Sequence, residues 1–283
     1  YWPEFVAKGK EDITTRMVLA HRAGLAAIDG DFTLAEVLAR DKIIAAIAQQ
    51  TPQWEPNSAH GYHTRTFGWI LGELVRRITG KSLASYVKNK IAEPLGIDFW
   101  FGLPDEDISR CAKLEPDPKP LQFAAAPKKL TIDSMTGPSQ LFRYDEMWND
   151  KAILQAEMPS SNGVTNARGL AKIYAATMKE INGIRLLSDK SIAAACVVQS
   201  QGEDLVVGID SCFGLGFMLP PWLANDHAGA SSFGHVGAGG SLGFADPEQQ
   251  LSIGYVMNQM SFQADDRRPI HRQDAVYQSL AKV

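Results

Sequence analysis

From residue 66 to residue 79 apolar side chains return every three or four positions. Phe67, Ile70, Leu71, Leu74, Val75 and Ile78 fall at i, i+3, i+4, i+7, i+8 and i+11. That is the period of an α-helix with one buried face, and Gly80 stops it. Thr64, Gly68 and Gly72 form a stripe of small residues where a second backbone can pack closely. Upstream, Thr33-Leu34-Ala35-Glu36 spells a capping box that opens a helix. Asp41 restarts it with Ile43, Ile44 and Ile47 inward. Further helices are predicted over 82–93, ending before Pro94, and over 166–181, with Leu170, Ile173, Tyr174 and Met178 inward. Another is predicted over 188–198, capped by Ser188. Residues 114–148 are rich in Pro, Lys and Asp and weakly periodic. Because they also carry Leu121, Phe123, Phe142 and Trp148, they read as a long excursion or lid rather than a linker.

After residue 204 the pattern changes. Short apolar runs over 205–209, 213–219, 232–236, 242–245 and 251–257 are separated by Gly, Pro and Asp, and 269–282 returns to helix. Consecutive short strands with short connections predict an antiparallel sheet. The fold class is therefore α+β. A mainly helical region, 1–200, is followed by a sheet region with a C-terminal helix, 201–283, the two together forming one domain.

Composition narrows the function. With 283 residues, 45% hydrophobic and 21% charged, the chain can bury a substantial core. The net charge is −4 and the basic residues are scattered, so no basic stripe for nucleic acid exists. No apolar run is long enough to span a bilayer. Cys111, Cys196 and Cys212 are odd in number and widely spaced, with no zinc spacing and no disulfide framework; they read as buried thiols. The first residue is Tyr1 and no signal peptide is visible, which decides nothing about compartment; the cytoplasm is only a weak default.

The chemistry concentrates in two places. Residues 232–247 hold five glycines within ten positions, between two β-like runs, and read as a sheet edge presenting N–H groups to a substrate carbonyl. Within them Gly239-Gly240-Ser241-Leu242-Gly243 matches G-x-S-x-G. That nucleophile elbow needs a helix after it, and a strand is predicted instead, so Ser241 reads as a turn or strand residue. Ser-x-x-Lys occurs at Ser85–Lys88, off the apolar face of its helix, and at Ser279–Lys282, where a helix frays. Ser134-Met135-Thr136-Gly137 begins like such a motif but has glycine where lysine is needed. None is a credible nucleophile. His60 and His63 lack the further ligands that a metal site requires. Tyr62 precedes the strongest helix, and a tyrosine becomes a base only where cations lower its pKa from about 10.

Five segments together bring a family into view. Gly61-Tyr62-His63-Thr64-Arg65-Thr66-Phe67-Gly68-Trp69 resembles the tyrosine motif of the class C β-lactamase, DD-peptidase and family VIII carboxylesterase group. Phe233-Gly234-His235-Val236-Gly237-Ala238-Gly239-Gly240-Ser241 is similar to that group's Lys-Thr-Gly strand in an esterase-type variant. Val18-Leu19-Ala20-His21-Arg22-Ala23-Gly24-Leu25 resembles its Leu-Leu-Ser-His-x-Ser-Gly-Leu segment, and Ile91-Ala92-Glu93-Pro94-Leu95-Gly96-Ile97 and Pro159-Ser160-Ser161-Asn162-Gly163 also fit. The resemblance implies an antiparallel sheet flanked by helices beside a helical domain. It implies Tyr62 as the activating base and His235 in the place of the motif lysine. Thr64 would contact substrate where asparagine is usual, Gly237 would let substrate approach, and the Ala238 N–H would be half of the oxyanion hole. The nucleophile, the serine of Ser-x-x-Lys, would lie upstream of Tyr1, so none is expected in this chain. The first sheet strands would be absent too, and a missing segment or a partner would complete the sheet. The implied activity is acyl-enzyme hydrolysis of small carboxylic esters, with β-lactams as a side substrate and without metal or organic cofactor. The rival reading is an inactive remnant that binds a ligand or partner through the surviving cleft.

Overall fold

Side-chain caps set where several helices begin. Thr14 opens α1 (Thr15–Leu19), its hydroxyl accepting the Met17 N–H. Thr33 and Glu36 form the reciprocal capping box of α2 (Leu34–Leu38). α3 (Asp41–Gln49) buries Ile43 and Ile47. α4 (Thr66–Thr79) has its predicted bounds and ends at Gly80, whose φ of 71° is the left-handed conformation that glycine adopts cheaply. This computed structural model describes residues 1–119, 127–221, 227–263 and 266–280.

The buried face of α4 departs from its periodicity. Trp69, Ile70 and Glu73 are buried, whereas Ile78 is 54% exposed. Glu73 can be buried because Arg40, Arg76 and Arg77 surround it, at 3.1, 2.6 and 2.6 Å. A count of apolar positions cannot register a carboxylate neutralised by three guanidinium groups.

The next helix also differs. α5 (Leu83–Val87), capped by Ser82, continues through a π-helical turn (Lys88–Ala92) into α6 (Glu93–Leu95). Pro94 therefore does not end the helix. It directly follows the π-helical turn, as the second residue of α6.

β1 (Phe99–Trp100) pairs with β2 (Val164–Thr165), two-residue strands too short to leave a periodic signal. Between them lie α7 (Lys129–Thr136) and α8 (Lys151–Gln155). The described part of this stretch is a wall rather than a lid. Phe142 is fully buried in the helical core with Trp69, Ile153 and Met158, and Trp148 stacks on it at 6.1 Å. Leu121 and Phe123 lie outside the described residues.

Asn166 caps α9 (Ala167–Met178) and Ser188 caps α10 (Asp189–Ala195). The sheet then begins earlier than predicted. β3 (Ser200–Glu203) and β4 (Asp210–Phe213) form a hairpin, and residues 205–209 are its turn rather than a strand. The Asp204 carboxylate turns the chain there by accepting the Val206 and Val207 N–H groups. Of 213–219 only the start is strand, but Met218 bridges Phe213 on one side and Gly234 on the other. It thereby joins the hairpin to β5 (Phe233–Val236), β6 (Leu242–Asp246) and β7 (Leu251–Tyr255), antiparallel in that order. Alternation sorts the faces. Phe213, Leu242 and Phe244 meet Tyr277 of α11 (Arg268–Leu280). Cys212, Phe233 and Ala245 meet Tyr174 and Met178 of α9 and Ile192 of α10. Gly243 and Gly254 let α9 approach: a Cβ at either position would run into the Tyr174 ring or the Ala167 carbonyl.

Helices thus pack on a small antiparallel sheet, the α+β arrangement expected from the sequence. No helix among the described residues is long and apolar enough to cross a membrane.

Candidate functional site

Tyr62 is held from both sides by its own backbone. Its N–H donates to Asp204 Oδ1 at 3.0 Å, and its carbonyl accepts the Thr64 N–H at 2.9 Å. Ser134 Oγ stands 3.2 Å from that carbonyl and 3.0 Å from Thr64 Oγ1. Asp204, itself fully buried, also accepts the Ser211 hydroxyl at 3.0 Å, and Ser211 meets His60 Nε2 at 3.0 Å. The Tyr62 ring stacks on Phe213 at 5.9 Å and lies 5.7 Å from the His235 ring. The predicted tyrosine and the predicted strand therefore meet.

They meet at a cavity of about 810 Å³ that Tyr62, Thr64, His235, Gly237, Ala238 and Ser241 all line. β5 delivers His235, and the turn after it is closed by the Gly237 N–H to the Ser241 carbonyl at 2.8 Å. A Cβ at Gly237 would strike Ser241 Oγ and force that hydroxyl to turn away. Among the described residues no acceptor takes the Ala238 N–H. An amide left unpartnered at a cavity wall can receive a carbonyl oxygen that is gaining negative charge.

Burial sets the charge states. It pushes the Tyr62 phenol above its ordinary 10.0, against the lowering effect of Arg65. It also pushes His235 below its ordinary 6.5. His235 Nδ1 lies 2.5 Å from the Val236 carbonyl, which only a donor tolerates. The neutral ring then presents Nε2 as an acceptor. The strand that resembles Lys-Thr-Gly carries a base here, not a cation.

Three further histidines serve as struts. His63 Nε2 accepts the Leu25 N–H at 3.0 Å and Nδ1 donates to the Gly61 carbonyl at 2.6 Å. His21 Nδ1 accepts the His63 N–H at 3.1 Å, and its ring packs edge-on to Tyr62. His60 is held by Ser211. Burial lowers His63 to about 4 and His21 well below the usual range. Such groups stay neutral when folded and gain protons when unfolded, so stability present above pH 6.5 is lost as pH falls toward 4. Between pH 7 and pH 5 His63 alone is expected to remove about 2 kcal/mol. Urea midpoints at those two values check this, above the range where carboxylates titrate. Equal midpoints would show that His63 protonates freely in the fold.

The rejected serines stand as follows. Ser85 and Lys88 do not line the cavity. Ser279 Oγ donates to the Ala275 carbonyl on the exposed end of α11, and Lys282 lies outside the described residues. Ser241 lines the cavity but leads into β6, not a helix. Ser134 is 1% exposed and out of reach of a substrate. Sequence reasoning missed Arg65, Tyr144 and Asp204. Only the Tyr62-to-Arg65 spacing left any trace of them.

The Beta-lactamase family model matches residues 1–277, and the chain belongs to that family. It is 32% identical over 279 residues to the esterase/beta-lactamase LipL of Mycobacterium tuberculosis, a match covering 92% of this chain and 62% of that protein. The chain thus spans 62% of the length of this curated relative. The structure of EstA from Arthrobacter nitroguajacolicus Rue61a superposes with a TM-score of 0.86 at 34% identity, covering 100% of this chain and 76% of that one. A family VIII carboxylesterase superposes with a TM-score of 0.85 at 35% identity, covering 96% and 74%.

Proposed function

We propose that this chain belongs to a serine hydrolase that cleaves small carboxylic esters through an acyl-enzyme, with weak β-lactam hydrolysis as a side activity. The observation that carries the reading is the convergence on one cavity of Tyr62, His235 and an Ala238 N–H that has no partner among the described residues. The names of the relatives, an esterase/beta-lactamase and a family VIII carboxylesterase, support the same class.

In this reading Tyr62, acting as its phenolate, takes the proton of an attacking serine and later returns it to the leaving alcohol. The Ala238 N–H stabilises the oxyanion of the tetrahedral intermediate, worth about 3 kcal/mol per donor. Gly237 keeps the approach open, and neutral His235 accepts a hydrogen bond from substrate or from Tyr62. Thr64, already engaged by Ser134, helps shape the wall. The attacking serine is assigned to sequence outside residues 1–283. With Thr64 and a neutral His235 in place of asparagine and lysine, recognition of a penicillin-type carboxylate weakens and ester cleavage is favoured.

The test is turnover by the full-length gene product. Short-chain p-nitrophenyl esters are expected to react faster than nitrocefin; the reverse order overturns the ester preference. A fluorophosphonate label on Ser85, Ser241 or Ser279 would show that the nucleophile lies within this chain after all.

A further inference from the structure

Arg65 is a buried cation that meets no carboxylate among the described residues. It immediately precedes α4, three positions after Tyr62, and is 5% exposed. Its Nε and Nη2 donate to the Met135 carbonyl at 3.0 and 2.8 Å, and Nη1 donates to Ser161 Oγ at 2.8 Å. Nη2 also reaches the Tyr144 hydroxyl at 3.4 Å. The rings of Phe142, Trp148 and Tyr144 stand 4.8, 5.2 and 5.7 Å from its central carbon. Carbonyls, hydroxyls and ring faces hold the guanidinium in place, but none of them cancels its charge.

The contrast with Glu73, which gathers three arginines, is instructive. Among the described residues Arg65 forms no ion pair, and no Asp or Glu lines the cavity. Lys113, the other full cation of the lining, is exposed and stands 3.6 Å from Glu115. A buried charge left unanswered costs several kcal/mol, so a group that ionises nearby gains from it. Two phenols share the cavity wall with it: Tyr144, whose hydroxyl is 3.4 Å from Nη2, and Tyr62, three positions before Arg65 and the one whose ring meets His235.

We propose that Arg65 is the fixed positive charge that stabilises the Tyr62 phenolate, standing in for the cation that β5 does not supply. Arg65 touches no reacting atom; it acts through Tyr62. In the step it supports, the phenolate takes the serine hydroxyl proton as the serine oxygen bonds to the acyl carbon. The same proton then leaves with the alcohol. This rests on the reading of Tyr62 as the base.

Among the described residues, Tyr144, Asp204, His21 and His235 do not supply the charge. Tyr144 and Asp204 act against its ionisation, whereas Arg65 favours it. His21 and His235, whose rings lie 5.1 and 5.7 Å away, are kept neutral by burial.

The test needs no turnover. A fluorinated tyrosine placed at position 62 of the 283-residue chain brings its ionisation into an accessible pH range, read by fluorine NMR. Arg65→Gln keeps amide donors but removes the charge, and is expected to raise the midpoint by about 1 unit, a tenfold weaker acid. Arg65→Lys, which keeps the charge, is expected to restore most of the shift. An unchanged midpoint in folded Arg65→Gln, or no rescue by lysine, overturns the proposal. Should Arg65→Gln not fold, the unsubstituted Arg65 gives the second measurement. Coupling is reciprocal, so its Nε–H resonance must titrate with the fluorotyrosine midpoint. A resonance that stays still overturns the proposal equally. In the full-length enzyme Arg65→Gln is further expected to lower kcat about tenfold with KM unchanged. If Tyr62→Phe retains activity while the coupling is observed, the base assignment fails and the charge pairing stands.

Discussion

Tyr62→Phe in the full-length enzyme is expected to lower kcat/KM for a short-chain ester by about a hundredfold to ten-thousandfold, the range for loss of a general base. The substitution removes one oxygen and leaves the ring stacked on Phe213 and edge-on to His21. Packing therefore changes little, and melting temperature and KM are expected to stay near their original values. The loss should fall on kcat, because the proton leaves the nucleophile only in the transition state. Turnover of Tyr62→Phe within a few-fold of the parent would end the assignment. The rate should also fall at low pH, as His235, lowered by burial, takes a proton and ceases to accept a hydrogen bond.

Asp204→Ala is the second large effect, on stability first and activity with it. The carboxylate accepts from the N–H groups of Tyr62, Val206 and Val207 and from the Ser211 hydroxyl, and Asp204 has no exposed surface. Alanine leaves those donors buried without partners, at about 3–5 kcal/mol in all, or roughly 10 °C in melting temperature. Asp204→Asn keeps one acceptor and is expected to lose about half as much. Because the Tyr62 N–H hangs on this carboxylate, kcat should fall even at temperatures where Asp204→Ala remains folded. A melting temperature unchanged by Asp204→Ala would show that water or another acceptor replaces the carboxylate.

Much of the helical region was legible in the sequence because caps and periodicity are local. Thr33 with Glu36, Ser82, Asn166 and Ser188 all cap as their residue types promise. β5, β6 and β7 were legible for the same reason, alternating apolar runs cut by glycine. The reading failed where a distant partner decides. Residues 205–209 carry strand-forming side chains, yet one buried carboxylate bends them into a turn. Pro94 reads as a stop, yet a local π-helical turn, which residue type does not signal, carries the helix to it. Residues 114–148 look like a surface excursion until Phe142 is found in the core.

The sequence by itself determined the family, the α+β architecture and the two segments that carry Tyr62 and His235, because those depend on residue type and short spacing. Only the tertiary structure decided that they share a cavity with an Ala238 N–H that has no partner among the described residues, that His235 stands there as a neutral ring, and that Arg65 lines the same cavity with no carboxylate among those residues to pair with it. The reason is physical. Charge state follows from burial and from what packs alongside, and chain segments far apart in sequence supply both.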